Sequence, residues 1–201
     1  MEITTSKPIK TTNLKTRIMK KLLLLASFAV SFCVSAQDLN IQNYTDTVIQ
    51  YVVWRLNPLN TSVNCTSPYL QSSSSVTGIS TLTYSTSPGL VPVEALYSGN
   101  INTSNTINPL FPQTPLIDTW TLDSNYANPY TLPSNPVPAA AISGSKWGGI
   151  KLGVQDQAGN NIGGYYSLGY SCGSPTALAT FSGVINGTFF EVGGATWIVL
   201  Y

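Results

Sequence analysis

The chain has 201 residues, 43% hydrophobic and only 8% charged, with a formal net charge of +1. It contains no histidine, which excludes Ser-His-Asp and Cys-His catalysis, His-ligated zinc and the usual general base at neutral pH. Neither a P-loop nor the G-x-G-x-x-G dinucleotide fingerprint occurs.

Met19-Lys20-Lys21, an apolar run at 22–34 and Val34-Ser35-Ala36 open the readable part of the chain. A basic n-region, a short apolar stretch and a small residue at the cleavage position predict a secretory signal peptide at 1–36, removed before Gln37. Residues 1–18 are then an extended n-region or an upstream start. The apolar run has 13 residues, short of the about 20 that span a bilayer, so no transmembrane segment is expected in the mature chain. Bulky Phe32 ahead of Cys33 argues against a lipoprotein site. The short leader and its Ala36-Gln37 junction point to a bacterial protein sent to the periplasm, the outer cell surface or the medium.

The part from Gln37 onward holds Arg55, Lys146 and Lys151 against Asp38, Asp46, Glu94, Asp118, Asp123, Asp156 and Glu191. Three basic residues cannot neutralise many phosphates, so nucleic acid is excluded as a partner. Two cysteines remain there, Cys65 and Cys172. An even pair in an exported chain predicts one disulfide. Two cysteines without histidine are too few for a metal site, and no cofactor is expected.

Residues 37–201 suit a single domain with a sizeable core. A short strand is expected at 39–43. Val48–Leu56 reads as a central strand, since both its faces are mostly apolar, and Trp54 is expected in the core. Residues 57–75 read as a long polar connection pinned by Cys65. Strands at 77–84 and 90–97 flank the turn residues Ser87-Pro88-Gly89, and Pro92 places the second at a sheet edge. Seven prolines between 108 and 138 forbid helix and leave one strand at 116–122 among extended loops. Ala139 to Ile142 is too short for a convincing helix.

In the last quarter, Ile150, Leu152 and Val154 alternate with Lys151, Gly153 and Gln155, a period of two. A turn at 156–161 leads to a returning strand at 165–170, and a third strand is expected at 176–185. Asn186-Gly187 is read as a type I′ turn, followed by strands at 188–192 and 196–201. The fold class is all-β: an antiparallel β-sandwich or jelly roll of about eight or nine short strands with long Pro-rich loops.

For function, Trp120, Tyr126, Tyr130 and Trp147 are candidate ligand-binding aromatics in or beside the loops, with Tyr165 and Tyr166 near the first C-terminal hairpin. Aromatic faces on a rigid β scaffold can stack on sugar rings. The first expectation is therefore a secreted, non-catalytic binding module for a glycan or cell-surface polymer. The second is a structural or assembly component of the cell envelope, with an envelope protein as partner and oligomers allowed. The third is a glycoside hydrolase using only carboxylates, with Asp118, Asp123, Asp156 and Glu191 as candidates. Asp156, Asn160 and Asn161 offer hard oxygens in one turn but match no calcium pattern. Five N-x-[ST] triplets begin at Asn43, Asn60, Asn64, Asn102 and Asn186, a number expected by chance in an Asn/Ser/Thr-rich chain.

Overall fold

The computed structural model describes residues 37–60, 65–73, 79–174 and 176–201. The predicted leader at 1–36 lies outside them, as do Asn64 and Thr77. Two sheets of five and seven strands pack together as a β-sandwich.

The five-stranded sheet runs β10 (Thr180–Ser182), β11 (Asn186–Val192), β12 (Ala195–Leu200), β1 (Leu39–Asn43), β5 (Val93–Tyr97). Its one parallel pair joins the two ends of this part of the chain, with Leu39 opposite Thr196 and Asn43 opposite Leu200. The seven-stranded sheet runs β7 (Tyr130–Thr131), β6 (Thr119–Leu122), β3 (Tyr69–Ser73), β2 (Val48–Leu56), β8 (Lys146–Gln155), β9 (Asn161–Gly169). β4 (Ser80–Leu82) pairs with the first half of β2, on the edge whose second half takes β3.

Alternation explains the layering. Ile49, Tyr51 and Val53 of β2 face inward with Ile150, Leu152 and Val154 of β8, and they meet Leu39, Ile41, Ala95, Tyr97, Ile198 and Leu200 from the other sheet. Each such side chain contributes about 1.5–3 kcal/mol when fully buried.

Several expectations are corrected. The described residues form twelve strands, because short polar pieces such as β3 pair where periodicity is faint. β3 lies inside the stretch read as a connection; Leu70 and Ser72 are buried while Tyr69, Gln71 and Ser73 face outward. Trp54 is only half-buried and sits on the outer face, over Gly148, with its Nε1 donating to the Tyr170 carbonyl at 3.0 Å. The expected strand at 176–185 is mostly a corner between sheets. Leu178 exchanges backbone bonds with Gly169 of one sheet before β10 joins the other. Asn186-Gly187 is not the hairpin turn: residues 183–185 turn, and Gly187 sits within β11 opposite Phe181. A Cβ at 187 would run into the Phe181 ring, so the glycine makes room for an aromatic rather than for a positive φ.

Ala139–Ser143 does form a helical turn, after Pro138 at its N-cap. Proline is tolerated there because that end needs no N–H donor. The turn's C-terminal carbonyl at Ile142 accepts from Arg55 Nη2 at 3.1 Å. The edge position of β5 follows the Pro92 reading, and the Leu96 N–H that faces away from β1 is met by Thr114 Oγ1 at 3.0 Å.

The disulfide joins Cys65 and Cys172, 107 residues apart in sequence with Cα atoms 4.6 Å apart. It ties the β2–β3 connection to the segment after β9. A disulfide points to an oxidising, extracytoplasmic compartment.

Candidate functional site

The inward turn of Ile49, Tyr51 and Val53 leaves Gln50, Val52 and Trp54 on the outer face of the seven-stranded sheet. Register then sets their neighbours: Gln50 lies opposite Gly153, Val52 opposite Lys151, and Trp54 opposite Gln71. Gly153 lies opposite Tyr165 of β9. Four adjacent strands thus present Gln71, Gln50, Val52, Lys151 and Tyr165 to one side. With Ile79 they line a shallow concavity of about 340 Å³. At about 4.8 Å between strands, the row from β3 to β9 spans about 14 Å.

The Tyr165 ring lies over Gly153, 3.4 Å from where a Cβ would stand, an ordinary contact distance. Tyr165 is 79% exposed, and the Lys151 ammonium sits 5.5 Å from its ring centroid. Gln71 Oε1 accepts from the hydroxyls of Tyr69 at 3.4 Å and Tyr126 at 3.3 Å. Its amide nitrogen remains a donor. The side chains of Gln50 and Lys151 make no hydrogen bond or ion pair with any described residue. The other two basic residues after residue 36 are spent elsewhere, because Lys146 pairs with Glu191 at 3.0 Å and Arg55 is buried.

No protein-family model, curated protein or solved structure matches this chain. The site is therefore argued from its own geometry.

Only one of the four aromatics singled out in the sequence reaches this face. Tyr126 is 61% exposed and touches it through Gln71. Trp120 and Trp147 are both 0% exposed, their rings 6.0 Å apart inside the core, so neither offers a face to a surface ligand. Strand alternation decided this: Trp120 lies opposite Ser72 on the inward row. Tyr130 is half-buried and packs against the core. Tyr165 turns outward, while Tyr166 turns inward and stacks on Phe181 at 4.4 Å. Gln50, Gln71 and Lys151 were not among the candidates; the period-two pattern of Val48–Leu56 and 150–155 was the signal that could have found the first and last.

The carboxylates have local roles. Asp118 accepts from Thr119 Oγ1 at 2.9 Å. Asp123 accepts from Ser67 Oγ at 2.7 Å and the Tyr69 N–H at 2.8 Å. Asp156 closes its turn by accepting from the N–H of Ala158 and of Asn160 and from Asn160 Nδ2. The Asn160 side chain first, then the backbone donors, hold its carboxyl below the usual range. Glu191 takes Lys146 and the Tyr170 hydroxyl. None of the four lines the concavity. Asn43 is fully buried, Asn60 nearly so, and Asn102 clasps the Val137 backbone through both side-chain atoms; these sequons serve the fold.

Gly169-Tyr170-Ser171-Cys172-Gly173 has the spacing of a G-x-S-x-G nucleophile elbow. That motif works on a strand–turn–helix with a histidine base. Here Cys172 is in the disulfide, the chain continues to the corner at Leu178, and there is no histidine.

Proposed function

We propose that this is an exported, non-catalytic β-sandwich binding module whose ligand is an extended glycan or cell-surface polymer. The ligand lies across the outer face of the seven-stranded sheet. One observation carries the reading: an exposed aromatic, Tyr165, stands beside unspent amide and ammonium donors from neighbouring strands in a shallow, open concavity. A sugar polymer needs a ring face to stack on and donors for its oxygens, and an open strip admits a chain where a closed pocket would not. The commitment of Asp118, Asp123, Asp156 and Glu191 to local partners favours binding over hydrolysis. A glycan array followed by titration calorimetry tests it. Wild-type binding that falls to background in Tyr165→Ala supports the reading, and absence of binding to every polysaccharide defeats it.

A second reading, an assembly component of the cell envelope, is favoured by the opposite face. Phe190 and Trp197 lie opposite each other on β11 and β12 with parallel rings 6.3 Å apart, and nearby Val192 is exposed. Contiguous apolar surface of this kind marks protein contacts. Sedimentation equilibrium tests it: a strict monomer over a wide concentration range argues against self-assembly through this face.

A further inference from the structure

Resting on the binding reading above, we infer that the polymer held at the outer face of the seven-stranded sheet is anionic: its sugar rings carry carboxylate or sulfate groups, and Lys151 pairs with them.

The argument is a balance of donors and charge. Gln71 has its carbonyl oxygen engaged by Tyr69 and Tyr126, so what it can still offer a ligand is its amide N–H groups. Lys151 offers up to three N–H donors and no acceptor. Gln50 adds a further amide free of described partners. The concavity is thus rich in donors and suits a ligand rich in acceptors. Among the described residues no acidic side chain lines it. Lys151 is exposed and, among the described residues, lacks a carboxylate, unlike Lys146 with Glu191. Its ammonium already lies 5.5 Å from the Tyr165 ring centroid, so one sugar unit can stack on Tyr165 and place a ring substituent at Lys151. The acidic residues after residue 36 do not line the concavity, and salt screens the field of exposed charges with a Debye length of about 10 Å at 0.1 M.

The test compares three probes of similar length by titration calorimetry: an oligogalacturonate, a sulfated galactan fragment and a neutral galactan fragment. Wild-type protein is expected to bind at least one anionic probe about tenfold more tightly than the neutral one, as one charge-assisted hydrogen bond allows. Lys151→Gln should remove that preference, bringing anionic binding to the level of the neutral probe in the same variant, and added salt should weaken only the anionic binding of the wild type. Whether carboxylate or sulfate is preferred identifies the source of the charge. Equal binding of all three probes, or a preference that survives Lys151→Gln in a variant whose melting temperature is unchanged, overturns the inference while leaving the polymer reading in place. Failure of all three probes and of a wider glycan array overturns both.

Discussion

The hydroxyls of Tyr51 and Tyr97 meet at 2.7 Å in the interior, one from each sheet. Tyr97 donates onward to the Pro115 carbonyl at 2.8 Å, so the hydroxyl of Tyr51 is left to donate to Tyr97. The chain runs from one sheet, through the other, to the Pro-rich loop. Tyr97→Phe strands both the Tyr51 hydroxyl and the Pro115 carbonyl, and is expected to cost about 1–3 kcal/mol. Tyr51→Phe leaves the bond to Pro115 intact and should cost about 1 kcal/mol or less. Urea unfolding of the two variants and of the double variant checks the order. The double variant should lose less than the sum, since both changes act on one network.

The same pair sets an alkaline limit. Burial first, then the neighbouring hydroxyl, raises the Tyr51 pKa well above 10.0, and burial likewise raises Tyr97 against its hydrogen bonds. A group whose folded pKa is raised keeps its proton in the native state while the unfolded chain releases it. The stability it contributes is complete below the unfolded pKa and is lost as pH climbs above it. Urea midpoints should therefore fall as pH rises past about 10, and absorbance titration should show two phenols ionising only on unfolding. In Tyr51→Phe the fall should be shallower.

Arg55 is a buried cation with no carboxylate partner among the described residues. Its guanidinium donates to Ser145 Oγ and to the carbonyls of Gly99, Ile142 and Ser145, and lies 5.0 Å from the Trp147 ring centroid. Burial lowers its pKa to about 10, so it stays charged at neutral pH. Carbonyl dipoles, including the C-terminal end of the helical turn, replace a counter-ion. A lysine keeps the charge but cannot reproduce the planar fork. Arg55→Lys is expected to destabilise by about 3 kcal/mol, two charge-assisted bonds' worth, read as a drop in urea midpoint with an unchanged m-value.

Aromatic rings cover glycines across strand pairs, and the cost of filling those gaps should differ by site. At Gly149 an added Cβ would meet the Leu168 backbone carbonyl as well as Trp54 at 2.7 Å. At Gly187 its three nearest neighbours would all be atoms of the half-buried Phe181 side chain rather than backbone. Gly149→Ala should cost about 3 kcal/mol or more and Gly187→Ala about 1–2 kcal/mol, as overpacking does when the neighbour can give. Thermal unfolding of the two variants ranks them.

Reduction of Cys65–Cys172 opens a loop of 107 residues. The chain-entropy estimate for such a loop is about 4–5 kcal/mol, and strain or residual structure lowers it. The melting temperature should fall on reduction, and alkylation of unreduced protein should leave both cysteines unlabelled. Alkylation at either one in freshly isolated protein would remove the covalent tie between the β2–β3 connection and the β9 corner.

Composition and alternation alone determined the all-β class, the central place of Val48–Leu56, the edge place of the strand after Pro92 and the pairing of the two cysteines that follow residue 36. Each follows from a local rule: period-two burial, a missing N–H, or elimination. Tertiary contacts decided the rest. Trp54, Trp120 and Trp147 look alike in the sequence, yet pleat and register send the last two into the core and the first to the outer face. Asn186-Gly187 has turn chemistry, but the ring of Phe181 across the sheet claims the space beside Gly187 and keeps the pair in a strand. β3 carries too few apolar residues to be read locally and exists because the second half of β2 offers it an edge. The candidate site is mostly of this second kind: alternation puts Gln50 and Lys151 on outward rows and the hairpin after 156–161 brings Tyr165 beside β8, but only sheet order, which no local pattern encodes, sets β3 and β2 alongside them on one face.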